Sequence, residues 1–118
     1  MNKMDWISLK DSTQLDQILA ESTKQPVLIY KHSTRCNISR SALDRLERKW
    51  DAAAAGNLRR YFLDLLSYRD ISNRIADMFE VEHQSPQILV ISNGKSVLDL
   101  SHYDIDFDAI RSVLKNTG

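Results

Sequence analysis

The sequence predicts an α/β fold, a central mixed sheet with helices on both faces, in a single domain over residues 1–118. Three observations lead there. Short continuous apolar runs, the mark of strands buried on both faces, alternate with segments of helical period. The last of these runs is followed by Asn93-Gly94, a hairpin turn signal, where another helical crossover would otherwise stand. The chain has 118 residues, 42% hydrophobic and 27% charged, with three Gly and two Pro, which is the composition of one ordinary globular core.

The elements follow in order. Trp6 to Leu9 is a weak strand signal ahead of the rest. Asp11 to Ser22 reads as a helix: Leu15, Ile18 and Leu19 share a face, Asp11 with Gln14 resembles a capping box, and Pro26 prevents continuation. Val27 to Tyr30 is the central strand, apolar without interruption. After polar residues 32–37, Ile38, Ala42, Leu43, Leu46 and Trp50 recur at helical spacing, and Gly56 is a suitable residue to end that helix. Arg59 to Leu66 is a second buried strand despite Asp64. Ser67 and Asp70 form an S-x-x-D cap before a helix carrying Tyr68, Ile71, Ile75, Met78 and Phe79. Pro86 stands before the strand Ile88 to Ile91, and Val97 to Leu100 returns from the Asn93-Gly94 turn. Ile105, Phe107, Ile110, Val113 and Leu114 line a closing helix that begins at Asp104 or Asp106.

This is the element order of a thioredoxin fold. Right-handed crossovers make the first two central strands parallel, and the hairpin makes the last pair antiparallel. The strand after Pro86 then starts at the sheet end where the strand before Cys36 stops. Cys36, Ser85-Pro86 and the Ser101–Asp104 segment with His102 are therefore expected to meet.

Charge and cysteine count narrow the function. Lys plus Arg equals Asp plus Glu, sixteen each, which argues against a nucleic-acid or anionic-membrane binder. No apolar run reaches signal-peptide or membrane-span length, so a soluble, cytoplasmic protein is expected. The lone cysteine excludes an internal disulfide and suits a reducing compartment. His32, His83 and His102 lack metal-ligand spacing, so no metal and no tightly bound cofactor is assigned. For His32 and His83 a solvated or capping role is expected. His102 either makes a structural hydrogen bond or touches a small-thiol moiety.

Cys36 follows a buried strand and opens a helix, where unpaired N–H groups and the helix dipole favour a thiolate. A thiol of pKa about 8.5 is roughly 3% ionised at neutral pH, and a lowering by about 2 units would make it mostly ionised. Arg35, with Lys31, His32 and Arg40, either adds to this effect, binds an acidic partner, or faces water. The motif Cys36-Asn37-Ile38-Ser39 is C-x-x-S. Ser39 occupies the place of a resolving cysteine, which rules out a dithiol mechanism, and it either donates a hydrogen bond to the thiolate or is a plain first-turn serine. Ser85-Pro86 is expected to be cis, leaving the Ser85 backbone free to pair with an extended substrate.

The segments His32-Ser33-Thr34-Arg35-Cys36-Asn37-Ile38-Ser39, Glu82-His83-Gln84-Ser85-Pro86-Gln87 and Ser101-His102-Tyr103-Asp104-Ile105 together resemble the YtxJ-type monothiol bacilliredoxins. The resemblance spans nearly the whole chain. It implies a thioredoxin fold and removal of bacillithiol, the exchange substrate, from S-thiolated client proteins. Those relatives usually carry proline after the cysteine, where this chain has Asn37, which puts the choice of small thiol in doubt. A glutaredoxin-like cluster carrier fits less well, since paired glycines are missing after the last strand and one thiol cannot hold a cluster without dimerisation. A redox sensor or binding module modified at Cys36 without turnover would need the same exposed thiol.

Overall fold

The computed structural model describes residues 6–56 and 58–117. Five strands form one sheet in the order β1-β3-β2-β4-β5: β1 (Ile7–Ser8), β2 (Val27–His32), β3 (Arg59–Asp64), β4 (Gln87–Ser92) and β5 (Lys95–Ser101). β1 and β2 each run parallel to β3, whereas β4 is antiparallel to both β2 and β5. This mixed sheet is flanked by α1 (Thr13–Ser22), α2 (Asn37–Lys49), α3 (Ala52–Ala55), α4 (Arg69–Phe79) and α5 (Phe107–Thr117). The fold class expected from the sequence is the one observed.

Every residue of β2 and of β4 is buried, as befits strands covered on both faces. Alternation along them creates two cores. Ile29, Leu63 and Leu89 pack with Leu15 and Ile18 of α1 and with Ile71, Ile75 and Phe79 of α4. Tyr30, Ile88 and Val90 pack on the other face with Ala42 and Leu46 of α2, Ala55 of α3 and Ile110 of α5. The hairpin turns on Asn93 and Gly94, both at positive φ (53° and 74°), the pair of conformations a two-residue turn needs. Ser22 fastens it to α1, its carbonyl accepting from the Asn93 N–H and its hydroxyl from the Gly94 N–H.

Three local expectations change. The helix after Cys36 does not run to Gly56. Trp50 is extended, with ψ 127°, and Asp51 caps a separate short helix by accepting from the Ala53 and Ala54 N–H groups. Trp50 packs against Phe107 instead, with ring centroids 4.8 Å apart. The Ser67–Asp70 cap is not made, because the Ser67 hydroxyl reaches back to Asp64 and α4 starts after Tyr68 without a side-chain cap. Leu65 and Leu66 lie beyond β3, in the turn that follows it. Near Asp11 only half of the expected box forms: the Gln14 side chain accepts from the Asp11 N–H, while the Asp11 carboxylate takes the Thr13 N–H and not that of Gln14.

Candidate functional site

At the C-terminal end of β2 the chain makes a tight turn, in which the Cys36 N–H donates to the Ser33 carbonyl at 3.2 Å. Cys36 is the N-cap residue of α2, extended at φ −107° and ψ 119°, and its carbonyl accepts from the Arg40 N–H. Its thiol is free and half-buried. The N–H groups of a helix's first turn have no partner within the helix, so the sulfur stands at the positive end of α2.

Ser39 is fully buried, and its hydroxyl is committed away from the thiol. The oxygen accepts the Ser33 N–H at 3.0 Å and bonds Nδ1 of His32 at 2.7 Å. The Ser39 carbonyl accepts from the Tyr30 hydroxyl, and burial pushes that phenol well above its ordinary value. Of the two readings of Ser39, donation to the Cys36 thiolate is therefore corrected: this first-turn serine has its hydroxyl held inside the turn. His32 also departs from a solvated role. It is 6% exposed, its ring lies 5.2 Å from Phe62 and 6.1 Å from Tyr30, and burial pulls it below the usual imidazole value, with Asp64 opposing and Arg40 reinforcing the shift.

The second wall comes from the start of β4 and the end of β5. Lys31 pairs with Gln87 and Gln87 with Ser101, so the strands leave the sheet side by side at the end where Cys36 lies. The Ser85-Pro86 peptide is cis. The Pro86 carbonyl accepts the N–H of His102 at 3.0 Å, which joins these two expected site residues directly. His102 opens a 3-10 turn over His102–Asp104 and has positive φ, 55°. That turn packs on α2, where Arg45 donates to the carbonyls of Tyr103 and Ile105. Tyr103 is 74% exposed on it, and Ile38, placed by its spacing among the apolar positions of α2, is also exposed. The Ser85 hydroxyl oxygen is buried without a hydrogen-bond partner among the described residues.

Lys31 is the residue furthest from its sequence reading. Neither solvated nor next to the thiol, it is fully buried on the α4 face. Its ammonium donates to the Ser72 carbonyl at 3.2 Å and to Nδ1 of His83 at 3.3 Å. No carboxylate lies within ion-pair reach among the described residues. Desolvation alone lowers its pKa to about 8. His83, also held by the Ser72 hydroxyl, is shifted down by desolvation, then by Lys31 and Arg69. Gln87, buried beside Lys31, ties the same loop by donating to the Glu82 carbonyl and accepting the Gln84 N–H.

Arg35 is exposed and makes no ion pair among the described residues. Asn37 is exposed too, its side-chain oxygen accepting from the Arg40 guanidinium. Among the described residues no group of three or more His, Cys, Asp or Glu is placed to hold a metal ion, and no helix is long and apolar enough to cross a membrane. The signal for His32 and Lys31 lay in strand continuity: a run extended by two residues makes both of them interior.

Comparison with known proteins bears on the family and the fold. A family described as monothiol bacilliredoxin BrxC matches residues 7–110. A solved structure, that of a proposed oxidoreductase with a thioredoxin fold, is 30% identical, covers 90% of each chain and superposes with a TM-score of 0.76. Thioredoxin of Malassezia sympodialis is 17% identical over 99% of this chain and 94% of its own, with a TM-score of 0.69. Thioredoxin of Fasciola hepatica is 16% identical over 94% and 98%, with a TM-score of 0.65. The last two bear on the fold alone.

Proposed function

The chain belongs to the monothiol bacilliredoxin family, and from that premise we propose that it removes a low-molecular-weight thiol such as bacillithiol from mixed disulfides on client proteins. The observation that carries this reading is a single free, half-buried thiol at the N-cap of α2, with a serine where a second thiol would resolve the product. In the reaction, the Cys36 thiolate attacks the small-thiol sulfur of the mixed disulfide. A new disulfide forms between Cys36 and the small thiol, the old one breaks, and the client sulfur leaves as a thiolate that takes a proton from water. A second, external thiol then attacks the small-thiol sulfur and regenerates Cys36.

The other residues take roles suited to their positions. Helix N–H groups stabilise the attacking thiolate. The Ser85 backbone at the Pro86 corner pairs with the client segment. His102, held against Pro86, and exposed Arg35 and Asn37 border the space that the small thiol enters. The setting that suits an unpaired thiol is the reducing cytoplasm.

The direct test is release of client thiol from an S-bacillithiolated protein, comparing wild type with Cys36→Ser. Wild type is expected to release one client thiol per equivalent, and the variant none. Release by the variant at the wild-type rate would remove Cys36 from the reaction. Modification of Cys36 by oxidised small thiol with an untouched client would favour a sensor.

A further inference from the structure

Ser39 and His32 lie outside the reacting groups, yet they close a ring around the turn that carries the nucleophile. The ring has three links. Ser33 gives its N–H to the Ser39 hydroxyl at 3.0 Å, Cys36 gives its N–H to the Ser33 carbonyl at 3.2 Å, and the first turn of α2 connects Cys36 back to Ser39. His32 bonds the same hydroxyl at 2.7 Å through Nδ1. Ser39 and His32 are both nine-tenths or more buried, so water does not substitute readily for the bonds of the Ser39 hydroxyl.

From this geometry we propose that His32, acting through the Ser39 hydroxyl, is a positioning residue that sets the place of Cys36 and couples the reactivity of that thiol to the protonation of the imidazole. Hydrogen-bond accounting gives the direction of the coupling. A serine hydroxyl has one proton to donate and two lone pairs to accept with. The Ser33 N–H takes one lone pair. Neutral His32 with a bare Nδ1 receives the hydroxyl proton, and the ring is complete. A protonated imidazole donates from Nδ1 instead, takes the second lone pair, and leaves the hydroxyl proton with no acceptor inside the turn. The neutral, Nε2–H tautomer is therefore the one that fits. Burial acts in the same sense, and the charged groups facing His32 divide: Asp64 on β3 favours protonation and Arg40 on α2 opposes it.

The arrangement also gives a reason for serine at the position a resolving cysteine would occupy. A thiol is a weak acceptor and donor and would not hold the Ser33 N–H and Nδ1 together. The hydroxyl that forbids a dithiol mechanism is the one that keeps the monothiol in place.

This inference rests on Cys36 being the reactive thiol, and its test separates from failure of the proposed activity because the probe is an uncharged small disulfide and no client is used. The rate of mixed-disulfide formation at Cys36 is followed against pH. In wild type the profile should show two titrations, one of them coinciding with His32 followed by imidazole NMR. In Ser39→Ala the titration that follows His32 should vanish and the rate at full thiolate should fall about tenfold, less than the roughly hundredfold that a 1 Å misplacement can cost. Ser39→Thr, which keeps the hydroxyl, should restore both. If the alanine variant does not fold, imidazole nitrogen shifts of the wild-type protein decide. An Nε2–H tautomer at neutral pH, with the Ser33 N–H resonance moving as His32 titrates, supports the coupling. An Nδ1–H tautomer, or a wild-type profile with one titration only, overturns it.

Discussion

Lys31 and His32 are consecutive residues of β2, both buried, facing opposite sides of the sheet, and the polar clusters they anchor differ in kind. On the α2 face, His32, Ser39 and Ser33 match donor to acceptor with no net charge required. On the α4 face, Lys31 brings an ammonium into the interior with a carbonyl and an imidazole for company. The first cluster holds the turn of Cys36. The second ties α4 and β2 to His83, three residues before Pro86. Strand alternation thus lets one dipeptide reach both walls of the site. The contrast teaches that one wall is held by a satisfied network and the other by a charge whose desolvation is only partly offset.

Substitutions should expose that contrast, beginning with the satisfied side. Ser39→Ala leaves the Ser33 N–H and Nδ1 of His32 without their partner, so a loss of about 2–3 kcal/mol in folding stability is expected from denaturant unfolding. Lys31→Met should act oppositely. Replacing a buried, carboxylate-free cation by an apolar chain of similar length is expected to raise stability by about 1–2 kcal/mol, while freeing His83 and slowing exchange through a looser Pro86 loop. An equal loss of stability in both variants would erase the distinction between the clusters.

The pH dependence sharpens it. Lys31 titrates at about 8 in the folded chain against about 10.4 unfolded, so between these values the unfolded state binds more protons and wild-type stability rises with pH. The advantage of Lys31→Met should therefore be greatest below pH 8 and shrink towards pH 10. His32, also depressed, contributes stability that is complete above its unfolded value near 6.5 and is lost as pH falls through its lower folded value. Unfolding of wild type and variant across pH 5–10 checks both slopes. The smallest effect belongs to Arg35→Ala: this exposed side chain has no ion pair among the described residues, so stability should stay within about 0.5 kcal/mol. A larger change would mean that Arg35 is tied into one of the clusters.

The sheet was legible from the sequence because its central runs are apolar and its hairpin carries Asn93-Gly94, signals that depend only on local residues. Helix ends were less so. Trp50 leaves α2 to meet Phe107 and Arg60, contacts made between distant segments. At the site, Cys36 and the joining of Pro86 to His102 followed from topology, whereas the partners of Ser39 did not. A serine three residues after a cysteine has the same spacing whether its hydroxyl turns to the sulfur or inward to His32. A solvated or capping role for His32, and a place beside the thiol or in water for Lys31, treat polarity as exposure. β2 extends through both residues, and a strand in the middle of this sheet has no outer face.

The most direct measurement of the central claim is an intact-mass spectrum of both proteins after this chain is mixed with a stoichiometric bacillithiolated client. Transfer of one bacillithiol mass from the client to this protein, located at Cys36 and abolished by Cys36→Ser, is the expected result. A client that keeps its adduct while Cys36 stays unmodified, or a covalent complex between the two proteins with free bacillithiol released, would contradict it.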